Sequence, residues 1–448
     1  MEIIMQSDHV VEQIVGKQPM GDSKYRMMKY VITSEFEGKL LAYNSVTAQL
    51  IALNSSEKAI LKENVIDDEK VLLYLVNEYF LVPEDFDDSK FYENVFSTKR
   101  FLLKEKGINF YKILTTNDCN ARCFYCYKLD AEHISMTKET TKQICNYIIK
   151  NHSEKVHLYW FGGEPLMNIE PIKDICESLQ KNSIDYKSSI ITNGYLLNDE
   201  LINLAIKDWH LEFVQITLDG TEKVHNRIKA FIYGKHVNPF AVILDNIEKI
   251  LKTGVRLLVR LNMDFHNKED LYELVKVLKN RFSVYENFKI YSALLFEDNS
   301  NRRIKRKFDI RSALVDEYLK FCDYLKEEQV IAYKRLPNKM KINCCMADSD
   351  SSVVVLPDGR LAKCDLDAEG SVFGHISNDE QDREVIANWK VLREQSGKCG
   401  SCAMRPLCIE VKGCKERLLL CDELEEKMKL YAFRSSMIDV YKRSTTEN

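Results

Sequence analysis

The chain has 448 residues, of which 45% are hydrophobic and 29% are charged, and its formal net charge is −4. This length allows two or three domains with sizeable cores, and the slightly acidic balance argues against broad binding to nucleic acid or to an anionic membrane. Residues 1–13 lack the apolar core of a signal peptide, and no apolar run is long enough to cross a bilayer, so we expect a cytoplasmic protein. Fourteen cysteines in such a protein indicate metal binding or burial rather than a disulfide scaffold.

Residues 1–83 are predicted to form a small separate unit in which strands precede helices. Glu37 and Gly38 would make a tight hairpin turn, and Asn54 with Glu57 has the spacing of a capping box at the start of a helix. The predicted elements are strands at 28–36, 39–44 and 48–53, a helix from Asn54 and an apolar-striped helix at 69–79. Residues 84–107, rich in Asp, Glu and Lys, are predicted to be a linker that leads into a solvated helix.

Three cysteines on one short loop follow an apolar strand predicted at 110–115. Cys119, Cys123 and Cys126 are spaced so that their thiols can converge on one small inorganic centre. A [4Fe–4S] cluster normally takes four thiolates, so three thiolates would leave one iron open to a ligand that is not protein. The alternatives are a structural zinc knuckle, which normally has a second pair of ligands, or three unrelated buried cysteines.

Strands and helices alternate between residues 108 and 300. The strands are predicted at 110–115, 156–161, 188–192, 213–218, 256–262 and 288–295. This alternation implies parallel strands, and polar motifs at the strand ends favour a six-unit partial barrel over a flat sheet. Cys145, Cys176 and Cys322 fall within apolar helical stripes, so we expect them to be buried packing residues.

Polar motifs follow four successive strands of this region. They are Gly162-Gly163-Glu164-Pro165, Thr192-Asn193-Gly194, the segment Thr217 to Gly220 with His225 and Arg227, and Arg260 with Asn262. A single Gly-Gly or Asn-Gly turn is ordinary, but the regular placement of all four motifs predicts one polar site facing the cysteine loop. For His225 and Arg227, the start of a surface helix is an equally good interpretation.

The cysteine loop, the Gly-Gly-Glu-Pro motif and the later strand ends resemble the radical S-adenosylmethionine (SAM) superfamily over residues 108–300. The resemblance implies that SAM chelates the open iron and is cleaved to a 5′-deoxyadenosyl radical. It also implies a SAM pocket. Gly162 and Gly163 would let the backbone approach the ligand closely. The other implied residues are Glu164 at the methionyl amine, Thr192 and Asn193 along the pocket, Thr217 and Asp219 at the ribose, Arg260 at the carboxylate with Asn262 on the same strand, and Tyr125 at the adenine.

Eight further cysteines lie between residues 344 and 421, around a hairpin turn predicted at Pro357-Asp358-Gly359. Such density on loops predicts a module held by metal, with zinc as the alternative to iron. The spacing resembles the SPASM domain, which implies two auxiliary iron–sulfur clusters, [4Fe–4S] rather than another type. The implied ligands are Cys345, Cys364 and Cys414 for the first, with Cys344 as a possible fourth, and Cys399, Cys402, Cys408 and Cys421 for the second.

Two features depart from the SPASM pattern. The gap between Cys408 and Cys414 is longer than in that family, and the adjacent residues Cys344 and Cys345 have poor geometry for ligands of one cluster. The first auxiliary cluster could therefore have three protein ligands and an iron open to a substrate thiolate or water. Asp365 directly follows Cys364 and is a candidate base for the proton lost when a substrate radical is oxidised, although a solvated loop carboxylate or a turn cap is the alternative.

Taken together, the sequence predicts an α/β protein with a partial (β/α)6 TIM-like barrel, an N-terminal winged-helix-like module and a C-terminal iron–sulfur SPASM domain. The predicted domains are 1–83, resembling the RiPP recognition element that binds leader peptides, 84–107 as linker, 108–300 as radical SAM core, 301–343 as a bridging region, 344–430 as SPASM domain, and 431–448 as C-terminal helix and tail.

The resemblance implies a maturase that oxidises a ribosomally made precursor peptide and forms a thioether or carbon–carbon crosslink. Its expected partners are a precursor peptide with a leader, which would add as a strand to a sheet edge, and an electron donor of the flavodoxin or ferredoxin type, with no nucleic acid and no membrane. The alternatives are an anaerobic sulfatase-maturing enzyme that makes formylglycine from Cys or Ser, and a non-catalytic iron–sulfur or zinc scaffold.

Overall fold

The computed structural model divides the chain into two compact units, one formed by Met1–Glu105, Tyr333–Asp348 and Lys390–Asn448 and the other by Lys106–Ala332 and Ser349–Trp389. The structure describes residues 1–21, 24–63, 68–103, 106–128, 131–232, 237–295, 308–331, 335–343, 345–390, 402–408, 411–414 and 422–446, and the side chains of 308–310 are not described. Among the described helices, none is long and apolar enough to span a membrane.

The first unit is built on a four-stranded antiparallel sheet with strand order β1-β5-β4-β3. Its elements are β1 (Glu2–Met5), α1 (His9–Val15), β2 (Tyr25–Met27), β3 (Val31–Phe36), β4 (Lys39–Asn44), β5 (Gln49–Leu53), α2 (Ser55–Glu63), α3 (Glu69–Asn77), β6 (Leu81–Pro83) and α4 (Asp88–Leu102), together with the helix Glu423–Thr446, called α13 below. β2 and β6 pair as a separate two-stranded ribbon.

The predicted hairpin and the predicted capping box are both confirmed. Glu37 and Gly38 have φ values of 47° and 76°, the left-handed conformations that a two-residue turn between β3 and β4 requires. At the start of α2, the Asn54 side chain accepts from the backbone N–H of Glu57 at 3.0 Å, and the Glu57 carboxylate accepts from the N–H of Asn54 at 2.8 Å. Local sequence therefore determines these two features.

Both faces of the sheet are buried. Leu40, Ala42 and Ile51 point to one face, where they join a core with residues of α1 to α4. Leu41, Tyr43 and Leu50 point to the other, where they pack with Met404 and with residues of α13 such as Met437. Alternate residues of the central strands β4 and β5 thus contribute to two different cores, which is why these two strands are mostly apolar.

The prediction of a solvated helix after residue 83 is wrong for one face of α4. Tyr92, Val95 and Phe96 are buried in the first core. Lys99 is also buried, where its ammonium pairs with the buried carboxylate of Asp8 and donates to the carbonyl oxygen of Met340 at 2.7 Å. The charged composition of this segment belongs to the exposed face, and the buried cation is stabilised because it is paired.

The second unit contains a nine-stranded sheet with order β12-β11-β10-β9-β8-β7-β13-β14-β15. Its strands are β7 (Ile108–Thr116), β8 (His152–Gly162), β9 (Asp185–Thr192), β10 (Leu211–Leu218), β11 (Arg256–Met263), β12 (Phe288–Leu294), β13 (Ser352–Val355), β14 (Arg360–Ala362) and β15 (Val372–His375). β7 to β12 are all parallel, as predicted, and this arrangement is consistent with the partial barrel fold.

The α-helices described in the second unit are α5 (Lys138–Asn151), α6 (Glu170–Lys181), α7 (Asp199–Lys207), α8 (Glu222–Lys229), α9 (Pro239–Lys252), α10 (Lys268–Phe282), α11 (Phe308–Glu327) and α12 (Arg383–Asn388). Helices α5 to α10 lie between the parallel strands, α11 follows β12, and α12 follows β15. Cys145 and Cys176 are buried in α5 and α6, as predicted. Cys322 of α11 is only partly buried, so the prediction that it is buried is wrong.

The sheet extends beyond the six predicted strands. β13 pairs in parallel with β7, and β14 and β15 continue antiparallel from it. The predicted turn at Pro357-Asp358-Gly359 joins β13 to β14, with Gly359 at φ 93°. Part of the segment expected to form the SPASM domain therefore lies in the same sheet as β7, the strand that precedes the cysteine loop.

Candidate functional site

The cysteine loop begins immediately after β7 and is attached to the end of β8 by backbone hydrogen bonds. The N–H of Gly163 donates to the carbonyl oxygen of Thr116 at 2.9 Å, and the N–H of Glu164 donates to that of Asp118 at 2.8 Å. A Cβ atom on Gly163 would lie 2.1 Å from the carbonyl oxygen of Asp118, and one on Gly162 would lie 2.2 Å from that of Thr116. The two glycines are therefore needed because the backbones touch.

Cys119, Cys123 and Cys126 are partly buried on this loop, and none of them forms a disulfide with another described cysteine. Burial raises the pKa of the Cys119 thiol to about 11 and also raises the pKa of Cys123. Burial therefore favours the neutral thiol at these two positions.

The donor set fits an iron–sulfur cluster. Among the described residues, no three His, Cys, Asp or Glu side chains converge as ligands of one metal ion would. A [4Fe–4S] cluster needs a wider arrangement of ligands than a single metal ion, because each thiolate binds a different iron atom. Beside the thiols, the Nδ2 of Asn120 is buried and has no partner among the described residues, while its Oδ1 accepts from Asn193 Nδ2 at 2.6 Å. Cys119 lies close enough to Cys123 and Cys126 for their charges to act on its thiol, and the Asn120 amide, unpartnered at Nδ2 among the described residues, directly follows Cys119.

The carboxylate of Glu164 connects the ends of β8 and β9. Oε1 accepts from the hydroxyl of Thr192 at 2.7 Å, and Oε2 accepts from the backbone N–H of Asn193 at 2.8 Å. The residue is 1% exposed, and burial raises its pKa to about 7 although these hydrogen bonds favour the charged form. The structure therefore brings together three of the residues that the sequence assigns to the SAM pocket.

Replacement of Glu164 by glutamine is expected to change how stability depends on pH. Between pH 4.5 and pH 7 the folded state holds a proton on Glu164 that the unfolded state has released. The contribution of Glu164 to the free energy of unfolding is therefore fully present below pH 4.5 and is lost as the pH rises through 7. Melting of the cluster-free protein should show the wild type losing up to about 3 kcal/mol relative to Glu164→Gln across this window. Parallel pH profiles for the two proteins would contradict the assignment.

A buried polar network lies behind the cysteine loop and was not predicted. The Lys229 ammonium of α8 is 3.0 Å from the Asp219 carboxylate, with side chains 5% and 0% exposed. The Tyr125 hydroxyl donates to Asp219 at 2.9 Å and accepts from Lys229 at 2.9 Å and from Asn262 Nδ2 at 3.1 Å. Burial lowers the pKa of Lys229, but Asp219 and Tyr125 outweigh it and hold that pKa well above its ordinary value.

This network changes the interpretation of three predicted residues. Tyr125, Asp219 and Asn262 were each assigned to SAM, and the structure instead binds their side chains to one another and to Lys229. Their contact with SAM remains a prediction. The sequence contains one signal that could have identified Lys229, namely its position four residues after His225, which places both on one face of α8.

His225 has a structural position. It is fully buried, its Nδ1 accepts from the backbone N–H of Asp219 at 3.3 Å, and burial lowers its pKa to about 3. A neutral imidazole thus holds the turn after β10. Asn267, to which the sequence analysis assigned no part in the site, donates to the carbonyl oxygens of both Asp219 and Asn262 and joins the ends of β10 and β11.

One face of the parallel sheet is only partly buried and carries aromatic and cationic side chains. Lys112 on β7 is in register with Tyr159 on β8, and Thr217 on β10 is in register with Arg260 on β11. The Lys112 ammonium lies 4.1 Å from the centroid of the Phe161 ring. Arg260 donates from Nε to Asn262 Oδ1 at 2.8 Å. A polar or charged substrate segment could pack against this face.

Asp365 forms an ion pair with Lys112. Its Oδ2 is 2.7 Å from the ammonium, and both side chains are 12% exposed. Tyr127, which directly follows Cys126, has a pKa raised by burial first and then by the charges of Asp365, Cys126 and Cys364. Asp365 and Cys364 therefore lie in the same neighbourhood as the end of the cysteine loop.

The remaining auxiliary ligands are only partly accounted for. Cys344, Cys399 and Cys421 lie outside the described residues. Cys345, Cys402, Cys408 and Cys414 belong to the first unit, where Lys429 Nζ approaches the Cys408 sulfur at 3.8 Å, whereas Cys364 belongs to the second unit. The two auxiliary clusters and their ligand sets remain predictions.

Comparison with known proteins agrees with the cysteine loop and the strand-end motifs. Residues 113–278 match the Radical SAM superfamily. The radical SAM cyclopropyl synthase TigE of Paramaledivibacter caminithermalis is 25% identical over an alignment of 211 residues, and the match covers 37% of this chain and 44% of TigE. The GTP 3′,8-cyclase of Clostridium perfringens is 27% identical over 180 residues, or 38% of this chain and 52% of that protein. The chain spans about half the length of the curated relatives it matches.

Solved structures share the fold. Streptococcus suis SuiB bound to S-adenosylmethionine superposes with a TM-score of 0.53 and 15% identity over 89% of this chain and 98% of SuiB, and another structure shows SuiB bound to its precursor peptide SuiA. Native anSMEcpe with bound AdoMet superposes with a TM-score of 0.56 and 16% identity over 76% of this chain and all of that one. The match over residues 113–278 and the similarity to radical SAM relatives support an enzyme of this class.

Proposed function

We propose that the chain is a peptide maturase that crosslinks a ribosomally made precursor peptide by radical SAM chemistry. The observation that carries the proposal is the joining of the cysteine loop, Gly163 and Glu164 at the ends of β7 and β8, beside a partly exposed face with aromatic and cationic side chains. Support for a peptide substrate comes from the fold shared with SuiB across both units.

Residues of the chain would bind the cluster, bind SAM and accept a proton. Cys119, Cys123 and Cys126 would hold the cluster, and Glu164 would accept a hydrogen bond from the amine through which SAM binds the open iron. When bound, the cluster and SAM supply a 5′-deoxyadenosyl radical that abstracts one hydrogen atom from the peptide. A crosslink also removes a second hydrogen as a proton and an electron, and Asp365 is the candidate acceptor of that proton, with the auxiliary clusters as the proposed electron acceptors.

The first unit provides a place for a leader peptide. β1 and β3 are the edge strands of its four-stranded sheet, and an extended peptide can add to such an edge. β3 is the more regular of the two, because it pairs with β4 along its whole length, whereas the pairing of β1 is interrupted between Ile3 and Met5. We therefore expect the leader beside β3, where it would have to displace the hydrogen bond that Arg434 donates to the carbonyl oxygen of Thr33.

The test uses the reconstituted full chain with SAM, dithionite and the product of a short reading frame neighbouring its gene. We expect 5′-deoxyadenosine and a peptide that has lost two hydrogen atoms per crosslink, with fragmentation blocked between the joined residues. A peptide lacking its leader should bind more weakly. SAM cleavage that leaves every supplied peptide unchanged would contradict the proposal.

The sulfatase-maturing activity is the second candidate, favoured by the fold shared with anSMEcpe and by Asp365. The product distinguishes this activity from crosslinking. Formylglycine carries an aldehyde that hydrazides trap, whereas a crosslinked peptide carries no aldehyde. The same assay with GTP in place of peptide tests the activity of the cyclase relatives, for which we expect no product.

Asp365→Asn is expected to uncouple SAM cleavage from peptide modification. The amide cannot take the proton, so crosslinked product should fall by about a hundredfold or more while 5′-deoxyadenosine still forms. Asp379→Asn is the matched control, since that carboxylate is 86% exposed in its ion pair with Lys150. Equal losses of 5′-deoxyadenosine and product in Asp365→Asn would argue for a structural role of the Lys112 ion pair.

A further inference from the structure

Lys229 contacts the cysteine loop through both its backbone and its side chain. Its carbonyl oxygen accepts from the N–H of Arg122 at 2.8 Å, and its ammonium donates to the Tyr125 hydroxyl at 2.9 Å. Arg122 directly precedes Cys123, and Tyr125 directly precedes Cys126. The end of α8 therefore touches the loop next to two of its three thiols.

The ammonium of Lys229 also balances a buried negative charge. Asp219 is fully buried, and among the described residues its carboxylate pairs with Lys229 and accepts from the uncharged Tyr125 hydroxyl. Charges in a buried site are poorly screened, so either member of the pair without the other would act strongly on its surroundings. As a pair they leave the wall behind the cysteine loop nearly neutral.

One-electron reduction of an iron–sulfur cluster adds negative charge to it, and its reduction potential depends on the net charge around it. A buried carboxylate without its cation would therefore make reduction harder, and a buried cation without its carboxylate would make it easier. Both charged side chains hydrogen-bond to Tyr125, which is itself a residue of the cysteine loop.

We propose that Lys229 is a positioning residue which, by pairing with Asp219, keeps the wall of the cysteine loop neutral and so keeps a cluster on that loop reducible. The inference rests on the proposed function to the extent that the loop holds such a cluster. The inference goes beyond the proposed function because it assigns to α8 the control of the one-electron step on which SAM cleavage depends.

The test is a redox titration of the reconstituted full chain, followed by the electron paramagnetic resonance signal that SAM perturbs. In Lys229→Met the ratio of reduced to oxidised cluster at a fixed applied potential should fall by about tenfold, equivalent to 59 mV for one electron. Asp219→Asn should change the ratio in the opposite direction. The double variant and Lys229→Arg should lie close to the wild type, because neither leaves a net charge.

The sign pattern separates this electrostatic role from a purely structural one. Shifts of the same sign in Lys229→Met and Asp219→Asn, or no shift in either, would overturn the proposal. If Lys229→Met fails to take up iron, two other results test the proposal. The ratio of reduced to oxidised cluster should rise in Asp219→Asn and should return to the wild-type value in the double variant. A wild-type protein whose cysteine loop holds no iron would instead overturn the proposed function itself.

Discussion

Cys123→Ala is expected to lose roughly four iron atoms per chain and to reduce 5′-deoxyadenosine formation to background, a fall of about a thousandfold or more. A cluster held by only three thiolates cannot lose one of them and keep an iron open for SAM. Cys119→Ala and Cys126→Ala should behave in the same way. The measurements are iron content after anaerobic reconstitution and the amount of 5′-deoxyadenosine formed with SAM and dithionite.

The chain supplies matched controls for this experiment. Cys145 and Cys176 are buried in α5 and α6, so Cys145→Ala and Cys176→Ala remove a thiol without touching the loop. Both controls should keep the iron content and the 5′-deoxyadenosine of the wild type. Equal iron loss in Cys123→Ala and Cys145→Ala would show that general destabilisation, rather than ligand loss, is being measured.

Gly163→Ala is expected to reduce SAM cleavage by about a hundredfold or more, although residue 163 carries no side chain that could touch SAM. The new Cβ would lie 2.1 Å from the carbonyl oxygen of Asp118 and 2.5 Å from that of Asn117. Both partners are backbone atoms, so the clash can be relieved only by separating the cysteine loop from the end of β8. That movement would displace Cys119 and break the hydrogen bond from Glu164 N–H to Asp118.

Gly254→Ala is the control for Gly163→Ala. Gly254 has φ 84°, so alanine there is strained by about 1 kcal/mol, but no atom lies within 4 Å of the added Cβ. It should lower the melting temperature slightly and leave SAM cleavage unchanged. A Gly163→Ala protein that cleaves SAM as fast as Gly254→Ala would mean that close contact between loop and strand is not required.

The parallel strands and the strand-end motifs could be predicted because their signals are local. β7 to β12 are apolar runs separated by helical stripes, and Glu37-Gly38 and the capping box at Asn54 each depend on a few neighbouring residues. The meeting of Glu164 with Thr192 and Asn193 follows from the same logic, since parallel strand ends lie side by side.

The features that were missed depend on contacts between distant residues. The pairing of β13 with β7 and the packing of α13 on the N-terminal sheet have no local signature. The burial of Lys99 could not be foreseen, because a lysine in a charged segment is normally exposed and its partner Asp8 lies far away in sequence. For the same reason the residues Tyr125, Asp219 and Asn262 could be assigned to one region but not to the network that Lys229 completes.

The central claim is that Cys119, Cys123 and Cys126 hold a cluster with one iron open to SAM. The most direct measurement is the electron paramagnetic resonance spectrum of the reduced, reconstituted chain, recorded with and without SAM and compared with Cys123→Ala. We expect one component whose g values change when SAM is added and which Cys123→Ala lacks. A spectrum that SAM leaves unchanged, or loop thiols that take up zinc in place of iron, would contradict the claim.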